Sequence, residues 1–427
     1  MKKITKRSVV LGLAVIVSFL MIYQASELCL AWWWGRSSEL RLQIRGAQLV
    51  AGNAEAWDRI GEALQANFDN GDPREAVQYF ERAVRVNPDS ASDWMDLAQA
   101  CEASGDTLQA RTAYERAQRD YPISAEVHWK YGNFLLRQGQ TSAGFEEVHS
   151  ALLADPKLIP LAISRIWNFD PDVQVILTKV LPQEEQAQQE ALDFFAAKHE
   201  DSAALETWKK LKNSNYAISI GAVFAFIDEL ITSNRAADAK QVWEEAIKAS
   251  HWPTPDAVED SQIWNGGFEA PIVNGGLGWR FEQESGAYIS TDSYVHHSGQ
   301  KSLRVDFTGG SNLDFKNVHQ FVPVEPRTHY VFQCFMRTES LSTESGLRFE
   351  IQEPNHYQVS VTTSDLTGTK AWTPVRADVI TGPNTHFLDI RLRRLPSRLF
   401  DNKLSGTVWV DDVSLIQVPL TGAEPHP

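Results

Sequence analysis

The sequence predicts a multidomain α plus β protein: an N-terminal transmembrane helix, an α-solenoid of helix pairs and a C-terminal antiparallel β-sandwich. Three observations support this prediction. An apolar run follows a basic N-terminus, helix-forming segments recur every 34 residues, and strand-forming runs alternate with turns from Gln262 onward. The chain has 427 residues, which is enough for two or three domains, so one small domain is excluded.

The first segment, residues 1–35, has the composition of a membrane anchor. Four basic residues among the first seven precede a mostly apolar run from Ser8 to about Ser26, and a tryptophan cluster follows at Trp32–Trp34. This length spans a bilayer, with the tryptophans at the far interface. The basic flank predicts a single-pass inner (plasma) membrane protein with a cytoplasmic N-terminus and a periplasmic or extracytoplasmic remainder. A cleaved signal peptide and a buried amphipathic helix are the alternatives.

Charge, cysteine content and motifs exclude several classes of protein. Forty Lys and Arg residues against 55 Asp and Glu residues give a net charge of −15, which argues against a nucleic-acid partner. Cys29, Cys101 and Cys334 are too far apart for a zinc motif. The sequence contains no GxxxxGK[ST], HExxH or GxSxG motif. We therefore predict a protein that is not an enzyme.

A 34-residue period organises residues 36–250. Small and aromatic residues recur three times before a proline: Ala76, Phe80, Ala83 and Pro88; Ala110, Tyr114, Ala117 and Pro122; Gly144, Val148, Ala151 and Pro156. Small residues let the two helices of a pair approach closely, and proline ends the second helix. Because two short helices cannot bury their apolar faces alone, each pair must stack on the next one. The pattern resembles the tetratricopeptide repeat family, with three good repeats and two or three degenerate ones.

This resemblance implies a groove that binds a protein or peptide and is lined by the first helix of each pair. The predicted groove residues are Met95, Gln99, Trp129, Asn133 and Arg137. A solvated helix face explains any one of these residues as well, so that alternative stays open.

The hydrophobic period changes after a proline-containing stretch at residues 251–261, which we interpret as a linker. Between residues 262 and 418, runs such as Leu347–Ile351 and Phe387–Leu392 alternate with Gly, Pro, Asn and Ser turns, which predicts the sandwich. Residues 419–427 form a tail. Four motifs resemble the galactose-binding-like jelly roll of CenC-type carbohydrate-binding modules. They are NGGFE from Asn265, GW at Gly278, HSG from His297, and the closing run Gly406–Leu415.

Glycan binding, which this resemblance implies, needs a flat aromatic face against a sugar ring and polar groups for its hydroxyls. The predicted aromatic contacts are Tyr294, Tyr357, Trp279 and Trp372, each with core packing as the alternative. Arg393 and Arg394 belong to a basic cluster that we predict binds the carboxylates or phosphates of an acidic polysaccharide. A solvated hairpin tip is the alternative for this cluster.

The same resemblance implies a structural Ca²⁺ ion between the first and last strands, which maps onto Glu269 and Asp412. Inward-facing positions change parity between Asp412 and Val413, so the pattern predicts a β-bulge near Asp411. The alternative is that Asp411 and Asp412 form a turn or hydrogen-bond an edge strand, while Glu269 caps a loop.

The anchor, repeats and sandwich together resemble bacterial membrane-anchored repeat proteins linked to exopolysaccharide or O-antigen production. This predicts a scaffold that binds a protein partner through its repeats and a cell-envelope glycan through its sandwich. A protein-only assembly factor, and less favoured a polysaccharide hydrolase with two carboxylates, are the alternatives.

Overall fold

The computed structural model describes residues 6–66, 72–214, 216–255, 260–354, 359–400 and 402–419. Its helices are α1 (Lys6–Trp34), α2 (Leu40–Leu49), α3 (Ala54–Gln65), α4 (Pro73–Val86), α5 (Ala91–Ser104), α6 (Thr107–Asp120), α7 (Ala125–Arg137), α8 (Thr141–Ala154), α9 (Ile159–Phe169), α10 (Val173–Val175, continued by a π-helical turn, Ile176–Val180), α11 (Glu185–Ala197), α12 (Asp201–Lys212), α13 (Phe224–Thr232) and α14 (Ala236–Ala249). Its strands are β1 (Arg280–Phe281), β2 (Ala287–Asp292), β3 (Ser302–Thr308), β4 (Phe315–Pro323), β5 (His329–Leu341), β6 (Arg348–Gln352), β7 (Ser360–Thr362), β8 (Gly368–Ile380), β9 (Phe387–Arg394) and β10 (Ser405–Val418). Repeated helices followed by antiparallel strands confirm the predicted fold class.

The chain forms two compact units, one ending at Gln183 and one beginning at Glu184. The first unit contains α1 to α10. The second contains α11 to α14 together with all ten strands. The sequence boundaries at residues 250 and 262 stay a prediction.

Helix α1 contains a 24-residue stretch, Leu11–Trp34, that is long and apolar enough to cross a membrane. Its side chains are exposed on all sides from Leu11 to Tyr23, as in a helix surrounded by an apolar phase. The stretch is therefore a candidate membrane span or signal sequence. Its last turns pack against α2: a Cβ atom on Gly46 of α2 would lie 3.0 Å from the Ala31 carbonyl oxygen.

Local sequence sets the ends of the repeat helices. Ser90 caps α5 by accepting the Asp93 N–H at 3.3 Å. Gly105 ends the same helix in a left-handed conformation with φ +86°, which glycine adopts without steric cost. The second helices α4, α6 and α8 each end two residues before a proline of the 34-residue pattern, because proline disfavours helical geometry in the preceding residue.

Glycines at the pair interfaces bring the helices into close contact. A Cβ atom on Gly61 of α3 would lie 2.5 Å from the Phe80 ring of α4. In the third pair, a Cβ atom on Gly132 would lie 3.1 Å from the Gly144 carbonyl oxygen. The second pair uses Ala98 and Ala110, which are both fully buried. This packing explains why the sequence keeps small residues at these positions.

The sandwich consists of two five-stranded antiparallel sheets with the orders β1-β4-β9-β6-β7 and β2-β3-β10-β5-β8. Inward side chains such as Val305, Phe332, Phe349 and Leu392 form one core. The register of β10 against β5 shifts between Asp411 and Ser414, which confirms the predicted bulge.

Helices α13 and α14 pack against the sandwich within the second unit. The Trp243 ring of α14 lies 5.6 Å from the Trp264 ring, edge to face. Asp228 of α13 forms an ion pair with Arg280 of β1. Helices α13 and α14 therefore contact the sandwich through both aromatic and charged side chains.

We expect Gly61→Ala to lower the free energy of unfolding of the repeats by about 1–3 kcal/mol, because the added methyl group overlaps the Phe80 ring. This loss exceeds the helix-propensity gain of about 1 kcal/mol. Urea unfolding followed by circular dichroism measures the change. Gly52→Ala is the control, since nothing lies within 4 Å of that Cβ position. Equal stability of both variants would contradict the packing argument.

Candidate functional site

A cavity of about 360 Å³ opens along the first helices of the repeats. It is lined by Gln99, Glu102, Ala103, Tyr114, Trp129, Lys130, Asn133, Arg137 and Arg165. Four of the predicted groove residues therefore lie together. The fifth, Met95, is 4% exposed and packs in a small core with Ala91, Ala117 and Val127. Its side chain is buried because it faces the neighbouring helix pair.

Polar contacts fix the walls of this cavity. Arg137 donates through Nε and Nη2 to the two Glu102 carboxylate oxygens at 2.7 and 2.8 Å. Arg165 donates to Asn133 Oδ1 at 2.7 Å, and its guanidinium lies 5.5 Å from the centre of the Trp129 ring. The cavity thus presents an aromatic surface, a cation and a carboxylate in fixed positions, which suits a polypeptide with polar and apolar groups.

Arg165 was missed by the sequence analysis. It lies on α9, after Pro156, where the repeat pattern decays. No signature residue of the repeat marks that helix, so only its packing beside α7 reveals the role of Arg165.

Carboxylates on α3 and α5 form an acidic part of the same helix row. Burial raises the pKa of Asp58 to about 7, and the charges of Asp96, Asp93 and Glu62 add to the shift. Burial likewise raises the pKa of Asp96 to about 6. These groups repel one another in the folded protein.

The predicted glycan residues fall into buried and accessible groups. Trp279 is 1% exposed, donates from Nε1 to the Asn265 carbonyl oxygen at 3.1 Å and packs on Phe268. Arg394 is fully buried. A ligand on the surface does not reach either side chain. Tyr294, by contrast, is 94% exposed, and Tyr357 lies outside the described residues.

Arg394 connects three loops from the interior, one of them through the Ser345 carbonyl oxygen, which accepts from Arg394 Nε at 3.4 Å. Its guanidinium donates to Asn312 Oδ1 at 2.7 Å, to the Leu313 carbonyl oxygen at 2.5 Å and to the Asn402 carbonyl oxygen at 3.1 Å. Burial lowers its pKa. The neighbouring Arg393 forms ion pairs with Asp314 and Glu350. Both members of the predicted basic cluster are therefore held by the protein's own acceptors.

Trp372 lies in an aromatic cluster at the edge of the second sheet. The His297 ring stacks on Phe335 at 3.7 Å and meets the Trp372 ring edge to face at 5.6 Å. His297 Nδ1 also bonds to the Asp412 carboxylate at 2.6 Å. The fold thus brings Trp372 and Asp412, which the sequence assigned to different sites, around one histidine.

Glu269 and the bulge aspartates hold the loop of residues 297–301. Glu269 Oε1 accepts the Gln300 and Lys301 N–H groups at 2.6 and 3.0 Å. Asp412 Oδ1 accepts the Ser298 hydroxyl at 2.5 Å, and the fully buried Asp411 accepts the Ser298 N–H at 3.2 Å. Burial raises the pKa of Asp411.

These hydrogen-bond donors occupy the carboxylate oxygens that were expected to bind a calcium ion. Calcium takes six to eight oxygen ligands, whereas N–H and O–H groups face the oxygens of Glu269 and Asp412. Among the described residues, no group of three or more His, Cys, Asp or Glu side chains is arranged to hold a metal ion. The arrangement fits carboxylates that position a loop, and the calcium site stays a prediction.

A polar row crosses the outer face of the first sheet. In the strand register, Arg280 of β1 lies opposite His319 of β4, and His319 lies opposite Arg391 of β9. Arg391 in turn lies opposite Glu350 of β6. Burial, followed by the charges of the two arginines, lowers the pKa of His319 to about 4. The buried Asp389 accepts from Arg391 and lies 3.1 Å from His319 Nδ1. The sequence analysis missed this row, because it depends on strand register.

Comparison with known proteins confirms the repeats. Residues 67–128 and 102–157 each match a family model described as Tetratricopeptide repeat. The BBSome complex member bbs-4 of Caenorhabditis elegans is 29% identical over 147 residues, which cover 32% of this chain and 31% of that protein. The chain therefore spans about a third of the length of this curated relative.

Two solved structures resemble separate parts of the chain. One is YrrB, a TPR protein with an unusual peptide-binding site, with 10% identity, a TM-score of 0.26 and coverage of 49% of this chain and 92% of YrrB. The other is a CBM4 structure, with 15% identity, a TM-score of 0.28 and coverage of 36% of this chain and 99% of that chain.

The raised pKa of Asp58 predicts a pH dependence of stability. The folded value of about 7 exceeds the unfolded value of about 4, so this carboxyl stabilises the fold at low pH and the contribution is lost as pH rises through that interval. Its neighbours are Asp96, Asp93, Glu62 and Arg59. The stability gain of Asp58→Asn over the unchanged protein should therefore grow from pH 4 to 7 and then level off.

Thermal unfolding across this pH range measures the gain. Asp89→Asn is the control, since the Asp89 side chain is 88% exposed. A pH-independent difference between Asp58→Asn and the unchanged protein would show that Asp58 is not the titrating group.

Proposed function

We propose that the protein is a non-enzymatic, membrane-anchored scaffold that binds a protein partner through its helical repeats and a cell-envelope glycan through its sandwich. The observation that carries this proposal is the repeat cavity, where Trp129, the Arg137–Glu102 pair and Arg165 stand in fixed positions on consecutive first helices. Tryptophan and arginine are the residues that most often dominate binding energy at protein interfaces.

Anchoring is proposed through α1, with the N-terminus in the cytoplasm and the remainder outside the inner membrane. The supporting observations are the apolar length from Leu11 to Trp34 and the four basic residues before it. An anchor of this kind would keep the repeats and the sandwich beside the cell surface.

Glycan binding is proposed for two aromatic positions of the sandwich, the half-buried Trp372 and the exposed Tyr294. Trp372 with His297 and Phe335 forms one aromatic surface, and Tyr294 presents a second ring to solvent. Tyr357 remains part of the prediction, whereas Trp279 and Arg394 support the fold from the interior. The ligand proposed is a bacterial exopolysaccharide or O-antigen chain, and the process is its production or export.

Trp129→Ala should weaken peptide binding to the full-length protein in detergent by about 30-fold, the loss typical of an interface anchor worth about 2 kcal/mol. Peptides would first be selected from a displayed library and their affinities measured by fluorescence anisotropy. Tyr121→Ala is the matched control, since that ring is 52% exposed and lies outside the cavity. Selected peptides that bind Trp129→Ala and the unchanged protein equally would contradict the groove assignment.

Trp372→Ala should reduce retention of envelope polysaccharides on a glycan array by about tenfold, because the stacking face is lost. Tyr288→Ala is the control, since the Tyr288 ring is 62% exposed and belongs to β2. The array is run with Ca²⁺ and with chelator, so it also tests the ion expected at Glu269 and Asp412. If no sugar is retained in either condition, the sandwich binds protein and the protein-only alternative replaces the glycan proposal.

A further inference from the structure

A second cavity, of about 380 Å³, lies where the end of α1 meets α2 and α3. Its apolar lining comes from all three helices and includes Leu28, Ala47, Val50 and Ile60. Gly46 makes room for it by letting α2 approach the Ala31 carbonyl oxygen. The peptide groove of the repeats is separate, because none of its lining residues belongs to this cavity.

The position of this cavity along α1 matters for its ligand. Trp32 lines the cavity, and Trp32 and Trp33 are 62% and 67% exposed at the end of the apolar stretch. Tryptophans concentrate where a membrane span reaches the lipid head groups. If α1 is the anchor proposed above, the cavity opens at head-group level, so this inference rests on the proposed anchoring.

Two basic residues stand at the cavity. The Arg36 guanidinium lies 4.1 Å from the centre of the Trp32 ring, and the described residues give it no carboxylate partner. Arg59 forms an ion pair with Glu55 at 2.5 Å, so its charge is balanced. The cavity therefore has one net positive charge, that of Arg36, beside an apolar lining.

Gln43, which also lines the cavity, has an acceptor atom that needs a hydrogen-bond donor. Its Nε2 donates to the Ser37 carbonyl oxygen at 2.7 Å, which orients the amide. Its Oε1 is buried and has no hydrogen-bond donor among the described residues. A buried acceptor without a donor is destabilising, so a ligand hydroxyl that donates to it would be stabilising.

We propose that this cavity binds the head group of an anionic phospholipid that carries a free hydroxyl, with phosphatidylglycerol as the probe. The phosphate pairs with Arg36, the head-group hydroxyl donates to Gln43 Oε1, and the first acyl carbons cover the apolar lining. Inorganic phosphate can pair with Arg36 but has no acyl chain to cover the apolar lining. A zwitterionic head group brings a second cation beside Arg36.

The test uses native mass spectrometry of the full-length protein in neutral detergent. Phosphatidylglycerol, phosphatidylcholine and phosphatidic acid of the same acyl chains, and inorganic phosphate, are titrated separately. We expect phosphatidylglycerol to be retained about tenfold better than phosphatidylcholine, with Arg36→Gln removing the preference. Phosphatidic acid lacks the head-group glycerol and therefore its hydroxyls. Gln43→Leu should abolish the preference for phosphatidylglycerol over phosphatidic acid. Arg41→Gln, an exposed residue outside the cavity, should behave as the unchanged protein.

Three results would overturn the proposal. Equal retention of phosphatidylglycerol and phosphatidylcholine, or an unchanged preference in a folded Arg36→Gln variant, would show that the cavity does not select the lipid. Displacement of phosphatidylglycerol by millimolar inorganic phosphate would assign the site to free phosphate. Vesicle flotation tests the anchoring separately from the lipid site. If the protein floats but shows no lipid preference, α1 is an anchor and the cavity is not a lipid site. If the protein does not float, both the anchoring and the lipid site are contradicted.

Discussion

Close contact between paired helices is the constraint on which the helical half of this protein depends. Gly61 against Phe80, and Gly132 against Gly144, leave no space for a further carbon atom. Because each pair is narrow at these points, successive pairs stack with their first helices side by side. That alignment brings residues from α5, α7 and α9 to one cavity, although they are far apart along the chain.

In the sandwich, several buried or half-buried charged groups position loops. Glu269 and Asp412 hold the loop of residues 297–301, and Arg394 ties three further loops to the end of β9. A buried charge is stable only when hydrogen bonds replace its lost hydration, which explains the number of acceptors around Arg394. A cluster of basic residues in the sequence therefore does not by itself predict free positive charge at the surface.

The repeats and the sandwich offer different binding surfaces to a protein that is proposed to be anchored in a membrane. The repeats contain an aromatic and charged cavity suited to polypeptide, and the sandwich exposes aromatic rings at its surface. The apolar stretch of α1 ends in contact with the first repeat helices, and only a short turn separates Trp34 of α1 from Leu40 of α2. An anchored α1 would therefore join the repeats to the membrane without a long linker. A scaffold anchored in this way would hold its partners near the membrane, as proposed above.

The sequence alone determined the classes of element and their order. Burial repeats with a local period, so the 34-residue spacing predicted the helix pairs, alternation predicted the strands, and the parity change at Asp412 predicted the bulge. Tertiary structure alone decided which side chains are accessible: Trp279 and Met95 are in cores while Trp372 is at a surface, and Arg394 is interior. It also decided that Arg165 joins the repeat cavity and that His319 and Arg391 lie side by side. The reason is physical: a local pattern reports which face of an element is buried, whereas the neighbours of a side chain depend on strand register and helix stacking across distant parts of the chain.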